Sequence, residues 1–167
     1  MIRPARREDI PRLRDIERAA GALFAGLGMT AVAEDEPPSP ELLAEFVEHG
    51  RAWVHADEQD VPMGYVVVEL VDGCAHVEQV SVDPAYSGRR VGAGLVDHVA
   101  AWAGKQGAAA LTLTTFTEVP WNGPYYERCG FRWLKDAEIT PGLREIRAAE
   151  TAHGLDRWPR GCMRREL

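Results

Sequence analysis

The chain reads as a mixed, mostly antiparallel α/β sheet with helices on both faces. Three observations predict this class. The apolar period changes from about 3.6 to about 2 shortly after Gly50. A tight-turn pair, Asp72-Gly73, separates two β-rich runs. A strand, a basic glycine-bearing loop and a helix then follow one another from Val80 to Leu95, which marks a helical crossover.

Taken in order, Ile2 to Arg6 predicts a short edge strand. Asp9 is a candidate cap for a helix whose apolar face is Ile10, Leu13, Ile16, Ala20, Leu23 and Leu27, ended by Gly26 and Gly28. Thr30 to Pro38 reads as a loop carrying Glu34, Asp35 and Glu36, either simply an exposed acidic stretch or one that attracts an amine. Ser39 as N-cap and Pro40 at the first helical position open a second helix, stopped by Gly50. Strands are expected over Arg51 to Ala56, Val61 to Val71 and Cys74 to Val82. Asp83-Pro84 ends the third, because proline lacks a ladder donor and biases the residue before it to extended backbone. A helix follows from Gly92 to near Gly107, then a buried strand over Ala109 to Phe116. Asn122 to Cys129 reads as a short helix capped by Asn122, and Phe131 to Leu134 as a strand. Thr140-Pro141 starts an added helix ended by Gly154, and Arg160 to Leu167 is the last strand.

With 167 residues, a single domain spanning the chain is expected. The 46% hydrophobic and 27% charged residues are ordinary for a soluble protein. No apolar run approaches a membrane span, and Met1 to Asp9 is too charged for a secretory signal. Cys74, Cys129 and Cys162 are too few and scattered for a disulfide framework or a zinc cluster, so a reducing cytoplasm and no metal are expected. A net charge of −7 argues against nucleic acid as partner. It would steer a cationic substrate, although solubility explains it as well.

The loop before the crossover helix carries the clearest chemistry. A helix start leaves backbone N–H groups unpaired and carries partial positive charge. Gly92 and Gly94 lack a Cβ, which admits a bulky anion, and Arg89 and Arg90 add full charge. This reads as a pyrophosphate site. A dinucleotide fingerprint does not fit, because Gly88, Gly92 and Gly94 have the wrong spacing and Leu111-Thr112-Leu113 offers no acid about twenty residues on. A Walker loop does not fit either, for want of Gly-Lys-Ser/Thr.

Arg89-Arg90-Val91-Gly92-Ala93-Gly94 does match Arg/Gln-x-x-Gly-x-Gly/Ala. This resembles the acetyl-CoA loop of the GCN5-related N-acetyltransferases, the GNAT superfamily. A second block, Pro124-Tyr125-Tyr126-Glu127-Arg128-Cys129-Gly130-Phe131, is similar to the family's Phe/Tyr-Tyr-Glu-Lys-x-Gly-Phe segment. The stretches Thr114-Thr115-Phe116 and Val119-Pro120-Trp121-Asn122 resemble one bacterial branch. The resemblance covers Ile2 to Leu134 and implies a splayed central sheet and transfer of an acetyl group from acetyl-CoA to a primary amine, of a small molecule or a peptide. It implies direct attack in a ternary complex, with the pantetheine arm paired to Val80, Ser81 and Val82, one of whose N–H groups holds the oxyanion. Gly88, Arg89, Arg90, Val91, Gly92, Ala93 and Gly94 would hold the CoA phosphates.

By the same resemblance Tyr126, five residues before Phe131, is the candidate acid for the departing thiolate; a phenol, with a pKa ordinarily near 10, stays protonated at neutral pH. The alternative is an aromatic packed in a short helix. Glu78, eleven residues before Arg89, matches the base of the histone-acetylating branch. An exposed strand residue, a water relay, or His76 on the same strand face are the alternatives. The family's CoA-contacting asparagine falls at Val119, so Asn122 either substitutes for it or caps the helix. Trp121, Trp133 and Trp158 would line the acceptor pocket or pack under the added helix. That helix is expected to shape the pocket or a homodimer contact. Two other readings stay open: a non-catalytic acyl-CoA-binding or sensor protein, and a nucleotide-binding α/β protein.

Overall fold

Alternating apolar residues and turn chemistry set the strands, which are β1 (Ile2–Pro4), β2 (Ala52–Ala56), β3 (Pro62–Val71), β4 (Cys74–Val82), β5 (Ala110–Phe116), β6 (Arg132–Trp133) and β7 (Arg160–Glu166). The helices are α1 (Ile10–Ala22), α2 (Thr30–Ala33), α3 (Pro40–Glu48), α4 (Val91–Lys105), α5 (Gly123–Arg128) and α6 (Pro141–Ala152). The computed structural model describes residues 1–167. The seven strands form one mixed, splayed sheet in the order β1-β2-β3-β4-β5-β7-β6. Its one parallel pair, β4 with β5, is matched only at Ala75 with Leu111 and at His76 with Thr112. The chain divides into two compact units. One comprises Met1–Val68 and Glu78–His98, the other Glu69–Val77 and Val99–Leu167.

In the first unit β1, β2 and β3 pair antiparallel. Their inner face joins Ile10, Leu13 and Ile16 of α1 and Leu43 and Phe46 of α3 in a core that includes Val54, Tyr65 and Val67. Ser39 caps α3, its hydroxyl accepting from the Leu42 N–H, with Pro40 following as expected. Three expectations change. The first helix ends at Ala22 and continues as a 3-10 turn over Leu23–Leu27, closed by Gly28 at φ +74°. The glycines at 21 and 26 lower helix propensity there. Thr30–Ala33 is a short helix rather than loop. Asp9 does not cap α1, because its own backbone is already helical. Its carboxylate is buried against the guanidinium of Arg3, at 2.8 and 3.0 Å, and also accepts from the Arg6 N–H. Burial pushes the Asp9 carboxyl up, but the Arg3 and Arg6 bonds outweigh it and hold it below the usual carboxylate range. Arg3 reaches on to Asp60, so β1 is tied to the turn between β2 and β3.

In the second unit β7 pairs antiparallel with both β5 and β6. Trp133 of β6 packs where a Cβ on Gly123 would lie 2.5 Å from its ring and one on Gly161 would lie 3.1 Å away. It therefore packs against α5 and β7 rather than lying free. Trp158 meets Phe116 edge-on at 6.3 Å. The added helix α6 forms where expected, yet Thr140 makes no capping bond with its side chain. The Gly142 N–H instead donates to the carboxylate of Asp72, at 2.8 Å, in the hairpin turn. Glu150, further along α6, accepts from Thr114 of β5 and from Arg160 of β7.

Arg3→Met leaves Asp9 buried without its cation. A loss of about 3 kcal/mol is expected by urea denaturation at neutral pH. The Asp9 carboxyl has a lowered folded pKa, so its contribution is present above the ordinary carboxylate range and is lost as pH falls through the folded value. The deficit of the variant is therefore expected to shrink in acid.

Candidate active site

The end of β4 and the start of α4 form one continuous segment of the first unit. Asp83 organises the turn between them. One carboxylate oxygen accepts from the Ala85 N–H at 3.0 Å and the other from Arg12 of α1 at 2.8 Å. These bonds hold its carboxyl below the usual range. Pro84–Tyr86 then makes a single 3-10 turn. Gly88 and Arg90 both adopt left-handed backbone, at φ +80° and +58°. Arg90 carries this conformation without being glycine, a cost of about 1–2 kcal/mol met by the surrounding turn. Ser87, Gly88, Arg89 and Arg90 are exposed. The Arg89 guanidinium rests over the Tyr86 ring at 5.3 Å.

Helix α4 opens directly behind this bend. Its first intrahelical bond to the loop runs from the Gly94 N–H to the Arg90 carbonyl, at 2.9 Å. Helix geometry leaves the N–H groups of Val91, Gly92 and Ala93 without an intrahelical acceptor. Val91 and Gly92 are buried and Ala93 is half-buried. Gly94 has a different setting from the one expected. A Cβ there would face His55 of β2 and Ile2 of β1 at 3.7–3.9 Å, so this glycine lies toward the strands rather than toward an incoming anion. The glycine that the segment does require is Gly64 of β3. A Cβ at this position would lie 2.9 Å from the Ser81 carbonyl and 2.9 Å from Val91. Two exposed arginines, Arg89 and Arg90, thus stand immediately before the positive end of a fifteen-residue helix, a setting whose charge is suited to an anion.

The strand residues divide by depth. Glu78 is exposed, Val80 and Val82 are half-buried, and Ser81 is buried. The Ser81 hydroxyl is not offered to a ligand: it donates to Glu17 of α1 at 2.6 Å. His76 is 2% exposed, with its Nδ1 2.8 Å from the Thr112 hydroxyl in the second unit. Burial lowers its pKa to about 4, so it packs the sheet as a neutral imidazole.

Tyr126 and Asn122 lie together in the second unit, on and just before α5. Tyr126 is 7% exposed and meets Tyr125 and Phe131 edge-on, at 5.4 and 5.9 Å. Asn122 does not cap α5. Pro124 at the second helical position lacks an N–H, and ψ of −106° at Asn122 lies outside the extended region that caps use. Its side-chain oxygen is buried with no hydrogen-bond partner.

Sequence reasoning missed Glu17, Tyr65, Gln79 and Arg12. For Glu17 the signal was present: it follows Ile10 by seven residues and Leu13 by four, which places it on the apolar face. No cluster of three or more His, Cys, Asp or Glu side chains is disposed to hold a metal ion. No helix is long and apolar enough to cross a membrane.

A model of the Acetyltransferase (GNAT) family matches residues 13–131. The chain belongs to this family. Among solved structures it is similar to the PaiA N-acetyltransferase from Thermoplasma acidophilum in complex with coenzyme A. The TM-score is 0.73 at 16% identity, over 100% of this chain and 98% of the other. A GNAT-family acetyltransferase from Staphylococcus aureus Mu50 aligns with TM-score 0.75 at 16% identity, over 100% and 98%. The ribosomal-protein-S18-alanine N-acetyltransferase from Escherichia coli aligns with TM-score 0.69 at 17% identity, over 100% and 93%. At these identities the likeness concerns the fold, and the GNAT fold is the one described above.

His76 provides a check on the second unit. Its folded pKa lies below the ordinary histidine value of 6.5, so its stabilising contribution is present above that value and is lost as pH falls toward about 4. His76→Gln is expected to flatten the decline of Tm between those limits, removing on the order of 3 kcal/mol of pH-dependent loss. The full pH series of Tm for both proteins measures it.

Proposed function

We propose that this protein transfers an acetyl group from acetyl-CoA to a primary amine by direct attack in a ternary complex, the whole chain acting as one acetyltransferase domain. One observation carries the reading: the bend at Gly88 and Arg90, which sets two exposed arginines directly before the first turn of α4 with its N–H groups that lack intrahelical acceptors. Membership of an acetyltransferase family, and similarity to a protein solved with coenzyme A, support CoA as the anion for this setting. Similar solved structures named as N-acetyltransferases support an amine acceptor.

In this reading Gly88 to Ala93 hold the pyrophosphate. Val80 to Val82 pair with the pantetheine arm, and a strand N–H polarises the thioester carbonyl where negative charge develops. Acetyl-CoA supplies the activated thioester. The amine nitrogen forms a bond to the carbonyl carbon, the carbon–sulfur bond breaks, and no acyl-enzyme is needed. Tyr126 gives its phenolic proton to the departing thiolate and is reprotonated from solvent. The buried, unpartnered oxygen of Asn122 is proposed to accept a hydrogen bond from the bound cosubstrate. Glu78, exposed on β4, remains a proton acceptor for the attacking amine through water. A cytoplasmic protein acting on small-molecule or peptide amines, without metal, fits this chemistry. A non-catalytic acyl-CoA sensor would keep the loop and have no use for Tyr126.

Tyr126→Phe keeps the ring contacts with Tyr125 and Phe131. It is expected to lower kcat 10²-fold or so while the acetyl-CoA Kd changes little. Thiol release and calorimetry measure the two quantities, and an unchanged kcat removes Tyr126 from the acid role. Gly92→Glu places a carboxylate at the helix start. Loss of CoA binding by about 10²-fold or more is expected in calorimetry. Normal CoA binding in this variant overturns the phosphate assignment.

A further inference from the structure

Glu17 projects from α1 into the first unit, where three neutral groups donate to its carboxylate. The Tyr65 hydroxyl of β3 lies at 2.8 Å, the Ser81 hydroxyl of β4 at 2.6 Å and the Gln79 amide of β4 at 3.2 Å. Tyr65 is fully buried and Ser81 nearly so, while Glu17 and Gln79 keep partial exposure. The carboxylate is therefore held from inside, on a side chain that is itself half-buried.

No cation answers this charge. The arginines of α1 are engaged elsewhere: Arg12 with the Pro62 carbonyl and Asp83, Arg14 with the Pro38 carbonyl and Glu36, and Arg18 with Asp15. The charged group that acts on Glu17 is Asp35, in the exposed stretch after α2, and it has the same sign. Burial first, and Asp35 in addition, push the Glu17 carboxyl above its ordinary range against the pull of Ser81 and Tyr65. A carboxylate removed from water normally has a cation or becomes neutral. Arg3 with Asp9, in the same unit, meets this rule. Glu17 does not, and its hydrogen-bonding neighbours Gln79 and Ser81 belong to the β4 stretch assigned to the pantetheine arm.

We infer that Glu17 is the acceptor-recognition residue: the missing counter-ion is the ammonium form of the amine to be acetylated, drawn in by Glu17 with Asp35 at the approach; the nitrogen gives one proton to water before it attacks and a second as the amide forms. The inference rests on the acetyl-transfer reading, whose acceptor it defines as an aliphatic, cationic amine rather than a neutral aromatic amine or a hydroxyl. Tyr65, Gln79 and Ser81 are positioning residues that fix the carboxylate. Ammonium binding needs the ionised carboxylate, so acceptor affinity weakens as pH falls through the raised Glu17 value. The bound ammonium in turn lowers that value.

Two measurements test this on the full-length protein. In the first, the Glu17 carboxyl is followed by ¹³C NMR through a pH titration, alone and with n-butylamine, 1,3-diaminopropane, lysinamide or alaninamide. At least one of these ammonium probes is expected to lower the Glu17 midpoint by about one unit, a tenfold preference for the ionised form. Exposed Glu58 serves as the control and should not move. No shift with any probe, or an equal shift at Glu58, overturns the inference. In the second, Glu17→Gln keeps the shape and an accepting oxygen. Its acceptor KM is expected to rise about tenfold or more, with the acidic limb of kcat/KM lost and the acetyl-CoA Kd unchanged. An unchanged KM and acidic limb overturn it. Failure of the wild type to bind acetyl-CoA would sink the acetyl-transfer reading instead, and the NMR titration would still decide Glu17.

Discussion

One missing methyl group positions the loop between β4 and α4 and the first turn of α4. Gly64 of β3 lets the Ser81 carbonyl and the Val91 side chain approach to distances that a Cβ would forbid. Packed interiors do not absorb a contact of this kind without moving backbone. The first turn of α4 can thus lie against β3 while β4 runs beside it. The bend at Gly88 and Arg90 then has a fixed base, and Asp83 locks its other end through Ala85 and Arg12. The loop's charge comes from Arg89 and Arg90, but its placement comes from a strand residue that carries no charge at all.

Much of this was legible in sequence, because it rests on short-range rules. The Asp72-Gly73 hairpin, the Ser39-Pro40 helix start and the strand–loop–helix unit are each specified within a few residues. The spacing of Gly88, Gly92 and Gly94 with no acid about twenty residues on disfavoured a dinucleotide fingerprint, and the absence of Gly-Lys-Ser/Thr disfavoured a Walker loop. Two expected caps failed because a residue close by in the chain intervened. Asp9 has the right type and position for a cap, and Arg3 claims its carboxylate instead. Asn122 stands before a helix, but Pro124 removes a donor that it would need. Glu17 was passed over because an acid on an apolar helix face reads as a lapse in the pattern, and its three donors come from strands far along the chain.

The first unit contains two carboxylates drawn out of water, Asp9 fully and Glu17 in part, with opposite settlements. Asp9 is neutralised by Arg3 and held as part of the scaffold. Glu17 is surrounded by dipoles alone and carries its cost unbalanced. Sites that act on other molecules tend to keep such imbalances, since a group already satisfied has nothing to offer a ligand. The second unit shows the settled form again, with Glu150 shared between Arg147 and Arg160.

Asp72 has a double role that bears on the order of folding. It sits in the turn that joins β3 to β4, with left-handed backbone, and it also accepts the Gly142 N–H at the start of α6. Thr140, the residue placed to nucleate that helix locally, has its hydroxyl buried without a partner. Helix nucleation is the costly step, and here its stabilising contact is supplied from a turn some seventy residues earlier. The start of the last helix is therefore coupled to the hairpin: the Gly142 amide is protected from hydrogen exchange while the turn is closed and loses that protection when the turn opens.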